Sequence, residues 1–139
     1  VLLDPAPAPS EDWMVRLCME ADILTPNLHE AAILESSALF DLERYLRKGG
    51  HYLTTMGSRG AHLARKESAI EIEAPSVDVV DTTGAGDTLA GIFAASLIMG
   101  SREEVALRHG VYGAALSTTA PGARGHMPTS EEVTALIER

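Results

Sequence analysis

Short apolar runs of strand composition alternate along this chain with longer segments whose apolar residues recur at helical spacing, the pattern of a sheet covered by helices. It predicts strands over residues 1–4, 22–25, 51–56, 61–65 and 68–73, with a further one near 77–80. Helices are predicted over 10–20, 28–35, 38–48, 86–99, 102–119 and 129–138. Within 86–99, Leu89, Ile92, Phe93, Ser96 and Leu97 share one stripe, so that face should be buried. Several helix ends are chemically marked. Ser101 with Glu104 and Thr129 with Glu132 have the spacing of capping boxes, and Ser10 precedes Glu11 and Asp12. Gly49-Gly50 and Gly100 are placed as helix stops, because glycine accepts the left-handed conformation that closes a last turn. Strands 51–56 and 61–65 are separated only by Gly57 to Gly60, which predicts a β-hairpin within a mostly parallel α/β sheet. No repeat, low-complexity tract or linker breaks the pattern, so a single domain over residues 1–139 is expected.

Composition narrows the class of partner. With 139 residues, 45% hydrophobic, the chain is long enough to bury one core. A net charge of -9 argues against nucleic acid or an anionic membrane as the main partner, while leaving room for a local anion site built from backbone amides. The single cysteine, Cys18, has no partner for an internal disulfide and reads as helix packing. With no apolar run of 18 residues and no signal-peptide pattern, a cytoplasmic protein is expected. The histidines, His29, His51, His62, His109 and His126, show no transition-metal spacing and read as surface or helix-end residues.

The candidate chemistry lies in Asp81-Thr82-Thr83-Gly84-Ala85-Gly86-Asp87, which closes a strand-like segment, turns through glycines and delivers an aspartate to a helix start. Because Gly84 and Gly86 lack Cβ atoms, the amides of residues 84–87 can converge on an anion at the positive end of the helix. Asp87 would then stand beside that anion as a base. An ordinary N-capped helix has the same outline, and from these residues alone both readings stand. The loop is not a P-loop, since no G-x-x-x-x-G-K-[ST] occurs, and its glycines do not have the G-x-G-x-x-G spacing.

The full string D-T-T-G-A-G-D-T resembles the C-terminal signature of the ribokinase-like (PfkB) family of carbohydrate and nucleoside kinases. Other segments fall in the order that family would place them. Leu2-Leu3-Asp4-Pro5-Ala6-Pro7 resembles the strand and turn opening the second half of its members, Thr25 to Glu30 resembles their N-x-x-E motif, and Thr55 to Gly60 their T-x-G-x-x-G nucleotide turn. Gly122-Ala123-Arg124-Gly125 and Pro128 echo the loop after their last long helix. The resemblance implies a ribokinase-like, Rossmann-type three-layer sandwich, of which this chain would be the C-terminal half. The N-terminal half, with most of the sugar pocket and its β lid, would be absent. A start at Val1 inside an apparent strand reads as an excised half or a processed product, and Glu35-Ser36-Ser37 as a trimmed surface loop.

The resemblance also implies roles, with ATP and Mg²⁺ as cofactors. Asp87 would be the catalytic base, and the amides of Gly84, Ala85 and Gly86 would hold the transferred phosphoryl group. Asn27 and Glu30 would organise Mg²⁺, its waters and the nucleotide phosphates, although Asn and Glu at this spacing also make a reciprocal helix cap. Thr55, Gly57, Ser58 and Gly60 would lie along the nucleotide, with a tight hairpin turn as the alternative, and Arg59 would face nucleotide or solvent. Thr83 would touch the nucleotide and, with Asp81 and carbonyls near Gly122, hold a monovalent cation such as K⁺. Val111, Tyr112 and Ala115 would border the adenine, or simply pack. The implied activity is ATP-dependent phosphorylation of a sugar hydroxyl, with ribose as the leading acceptor. The alternatives are a nucleotide-binding module without kinase activity, or a half-domain that covers its apolar surface by homo-oligomerisation or with the missing half.

Overall fold

The computed structural model describes residues 1–139. The chain forms two compact units, residues 1–56 with 61–71, and residues 57–60 with 72–139.

The first unit carries a five-stranded sheet in the order β1 (Leu2–Leu3), β2 (Ile23–Leu24), β3 (His51–Thr55), β4 (Ala61–Ala64), β5 (Ala69–Ile72). β1 runs parallel to β2 and β2 to β3, each connection being spanned by helix as parallel pairing requires: α1 (Asp12–Glu20) in the first, α2 (Leu28–Ser36) and α3 (Leu42–Arg47) in the second. β3 and β4 pair antiparallel with Leu53 opposite Leu63, which is the expected hairpin. Leu24, Leu34 and Tyr45 are fully buried in its core, and Cys18 is nearly so. Burial pushes the Cys18 thiol up, as suits a packing residue. The rings of Phe40, Tyr45 and Tyr52 stand with centroids 5.9 to 6.4 Å apart, and the Tyr45 hydroxyl donates to the His51 carbonyl at 3.2 Å.

Two helix starts differ from expectation. The third helix begins at Leu42 rather than residue 38, because Phe40 N–H closes a turn onto Ser37 and the Asp41 carboxylate caps the helix from Arg44 N–H at 2.8 Å. Ser10 does not cap α1. Glu11 holds the cap position without a side-chain bond to the helix backbone, its carboxylate accepting from Trp13 Nε1–H at 3.0 Å, and the Ser10 hydroxyl turns to the Met14 sulfur.

The second unit contains α4 (Ala85–Ile98), α5 (Glu103–Ser117) and α6 (Ser130–Ile137). On α4, Leu89, Phe93 and Ser96 are buried while Ile92 and Leu97 are half-buried, so the expected stripe faces inward. A Cβ on Gly110 of α5 would lie 3.0 Å from the Leu89 carbonyl oxygen, so the helices meet where there is no side chain to separate them. α4 stops as the glycine predicted: Gly100 is left-handed at φ 87°, its N–H donates to Leu97 O, and Ser101 N–H donates to Ser96 O. α3 ends the same way, through Gly49 to Leu46 O and Gly50 to Tyr45 O.

That closure explains a failed cap. Ser101 is the last residue of the α4 stop, so no capping box forms with Glu104, which instead pairs with Arg108 at 3.3 Å. The strand expected near 77–80 is also absent. Val79 and Val80 are each 60% exposed, and the N–H groups of Val80 and Asp81 both donate to Thr118 O just beyond α5. A strand needs a neighbouring strand, and here the end of a helix has taken its donors. No helix is long and apolar enough to cross a membrane.

The α3 stop yields a prediction about two adjacent glycines. A Cβ on Gly50 would lie 2.5 Å from the Tyr45 ring, which is fully buried and cannot yield, whereas at Gly49 (φ 100°) nothing lies within 4 Å. Urea unfolding should show Gly50→Ala losing about 1–3 kcal/mol by overpacking, and Gly49→Ala about 1–2 kcal/mol from left-handed strain. In a Tyr45→Leu background only the Gly50 penalty should shrink; equal penalties there would contradict this assignment.

Candidate active site

Asp81 organises the loop ahead of α4. Its Oδ1 accepts from Thr83 N–H at 2.9 Å and from the Thr83 hydroxyl at 2.7 Å, and its Oδ2 accepts from Gly122 N–H at 2.8 Å. These donors, the Thr83 hydroxyl foremost, hold the carboxyl below its ordinary value. A monovalent cation here would have to share Asp81 with them. The Gly122 bond brings the loop after α5 against the start of α4, where a Cβ on Gly84 would lie 3.0 Å from the Ala123 Cβ. Gly84 is also left-handed, at φ 79°, so glycine is required there twice over.

Gly84 occupies the cap position of α4 and has no side chain with which to cap. Ala85 N–H donates to Thr82 O at 3.2 Å, so this amide is not available to a ligand as expected. The N–H groups of Gly86 and Asp87 have no backbone acceptor, and a Cβ on Gly86 would meet nothing within 4 Å. Asp87 is the third residue of the helix, exposed, without a side-chain hydrogen bond or ion pair. It therefore does not serve as an N-cap. A carboxylate released from structural duty lies beside two unused donors at the positive end of a fourteen-residue helix.

Asp87 faces a depression of about 390 Å³, lined from the α4 side by Gly84, Asp87, Thr88, Gly91 and Ile92. Its other wall is Ala123, Arg124, Met127 and Pro128. That is a volume typical of small-molecule sites. From sequence, Arg124 is named only as part of the Gly-rich loop, with no role of its own, and Met127 not at all. The Gly-rich run at 122–125 marks their loop, but only the bond to Asp81 brings it to Asp87.

The remaining candidates form other groups. In the first unit Asn27 and Glu30 make a complete capping box: Asn27 Oδ1 accepts from His29 and Glu30 N–H at 2.9 and 3.0 Å, and Asn27 N–H donates to Glu30 Oε2 at 2.8 Å. Thr55 joins them through a parallel bridge to Asn27, and Glu30 is buried. Gly57, Ser58 and Arg59 form an exposed 3₁₀ turn, with open space where a Gly57 side chain would go. Gly60, at φ 93°, is needed by the chain itself, because a Cβ there would collide with the Ile72 carbonyl oxygen. Val111 is core, while Tyr112 and Ala115 are half-buried. No three His, Cys, Asp or Glu side chains gather as a metal-holding cluster.

The pfkB family carbohydrate kinase model matches residues 1–130. The ribokinase of Bacillus subtilis is 37% identical over 145 residues, covering 99% of this chain and 46% of its own. Among solved structures, Arabidopsis thaliana ribokinase complexed with ribose and ATP is 31% identical with a TM-score of 0.79, covering 100% of this chain and 47% of that one. A putative ribokinase II from E. coli in complex with ATP and Mg²⁺ is 26% identical with a TM-score of 0.81, over 91% and 42%. The chain thus spans about half the length of the curated relatives it matches.

The Asp81 clamp predicts a pH dependence. Folding lowers this carboxyl's pKa, so its contribution is complete above the unfolded value, about 3.9, and is lost as pH falls through the folded one. Asp81→Asn can still accept from Thr83 but cannot accept from both Thr83 and Gly122. Its stability deficit relative to the parent in urea should be largest near neutral pH and narrow below about pH 4. A deficit that stays constant to pH 3 would remove the carboxylate from this role.

Proposed function

The chain belongs to the pfkB family of carbohydrate kinases, and on that premise we propose that it carries the nucleotide site and the catalytic base of an ATP-dependent sugar kinase. The observation that carries this reading is Asp87, a carboxylate with no structural partner beside the unused amides of Gly86 and Asp87.

In the reaction, a hydroxyl of the sugar gives its proton to Asp87 as its oxygen attacks the γ-phosphorus of ATP. The P–O bond to the β-phosphate breaks and ADP leaves. The amides of Gly86 and Asp87 hold the charge on the transferred group, Gly84 gives the loop the shape that aims them, and Ala85 stays tied to Thr82. The site fits an anion, because the donors are free and no side chain fills the space over Gly86. Mg²⁺, when bound, neutralises phosphate oxygens; Glu30 and Asn27 are the groups that would hold it and its waters. Thr55, Gly57, Ser58 and Thr83 are assigned to the nucleotide. The likeness to ribokinases makes ribose the leading acceptor.

Two measurements test this reading. Titration calorimetry of the folded chain with Mg²⁺–ADP should give saturable heat at or below millimolar nucleotide; its absence would show that this chain alone holds no working nucleotide site. In a complete kinase carrying this segment, Asp87→Asn should lower kcat by roughly 10²- to 10⁴-fold while leaving nucleotide affinity nearly unchanged. Because Asp87 does not cap α4, asparagine leaves the helix start intact, and a kcat within about threefold of the parent would reject Asp87 as the base.

A further inference from the structure

The wall of the depression opposite Asp87 belongs to the loop between α5 and α6, and this loop is braced at two points. The first is the Gly122 bond to Asp81. The second is His126, half-buried, between a residue just past α5 and one on the first turn of α6. Its Nδ1 lies 2.9 Å from Thr119 Oγ1 and its Nε2 3.4 Å from Glu132 Oε1.

Thr119 Oγ1 reaches both Leu116 O, at 2.8 Å, and Nδ1, and Leu116 O also accepts from Thr119 N–H. Glu132 accepts from Thr129 N–H through its other oxygen, and that bond first, then His126, holds its carboxyl below the ordinary value. An ionised carboxylate accepts and does not donate, so the Glu132 contact takes a proton from Nε2, while a hydroxyl can donate to Nδ1. One imidazole can therefore satisfy both neighbours at once.

We propose that His126 is a positioning residue for the site: bridging Thr119 and Glu132, it fixes the loop that presents Arg124 and Met127 to the Asp87 depression. Without the imidazole the wall is fastened at one fewer point. Glu132 on α6 is the ionisable group in contact with the ring. The link to ligand binding rests on the proposed nucleotide site; the brace itself does not.

The test begins without ligand. Long-range ¹H–¹⁵N spectra of the ¹⁵N-labelled chain should show a proton on His126 Nε2, and Glu132→Gln should move that resonance. His126→Ala should displace the amide resonances of Ala123, Arg124 and Asp87. His126→Asn, which keeps a polar group toward Thr119, should displace them less. With Mg²⁺–ADP as the probe, His126→Ala should bind roughly 3- to 10-fold more weakly than the parent. His126→Asn should recover part of that loss. A ring without a proton on Nε2, or wall amides unmoved by His126→Ala, overturns the proposal. If that variant does not fold, Thr119→Val removes the hydroxyl and is read by the same amides. A parent chain that binds no nucleotide sinks the proposed function, and the ring and amide spectra still decide the brace.

Discussion

The site depends on how the two oxygens of Asp81 are shared. One holds Thr83 and so shapes the turn ahead of α4; the other holds Gly122, 41 residues further on, and so brings in the opposite wall. With that wall in place, Ala123 occupies the space over Gly84, and a residue with a Cβ no longer fits. With glycine at that position, α4 has no side-chain cap. The free amides at Gly86 and Asp87 are thus a consequence of the clamp as much as of the helix.

That helix start contrasts with others in the same chain. α2 and α6 both begin with complete capping boxes, Asn27 with Glu30 and Thr129 with Glu132. A good cap stabilises a helix by about 1 kcal/mol, and α4 does without it. Its compensation is burial. Phe93 on α4 and Leu107 on α5 are fully buried, and burying one such side chain contributes about 1.5–3 kcal/mol. A helix held by its buried face can leave its first turn open, and an open first turn is where local rules are expected to fail at a functional site.

Which features were legible in the sequence follows from how far their causes reach. The boxes at Asn27 and Thr129, the stops at Gly49 and Gly100, and the hairpin around Gly57 to Gly60 all depend on residues a few positions apart, and all form as expected. Ser101 misled because two helices compete for it and the end of α4 takes it. Val77-Asp78-Val79-Val80 has strand composition, but a strand also requires a partner, and composition cannot supply one. Asp87 could be placed near a helix start from its neighbours; whether it capped that helix turned on Gly84 being left-handed, which in turn depends on Ala123. The loop of Arg124 was visible as a Gly-rich run, but the part of Arg124 and Met127 in the site was out of reach for the same reason. Their place in the site is set by contacts made across the fold.

The acidity of the chain and an anion site are compatible because they act over different distances. A net charge of -9 sets a field that salt screens within about 8 Å at physiological ionic strength. Backbone amides carry no net charge, and their attraction is felt only by a group in contact with them and correctly aimed. An arriving phosphate is therefore disfavoured weakly by the surface at large and held strongly, if at all, by geometry. The total charge can drift with surface substitutions at little cost to such a site. A shift of the loops by a fraction of a hydrogen-bond length cannot be absorbed in the same way. The charged residues that matter most to this site are then those that fix its shape, Asp81 at one end of the opposite wall and His126 with Glu132 at the other.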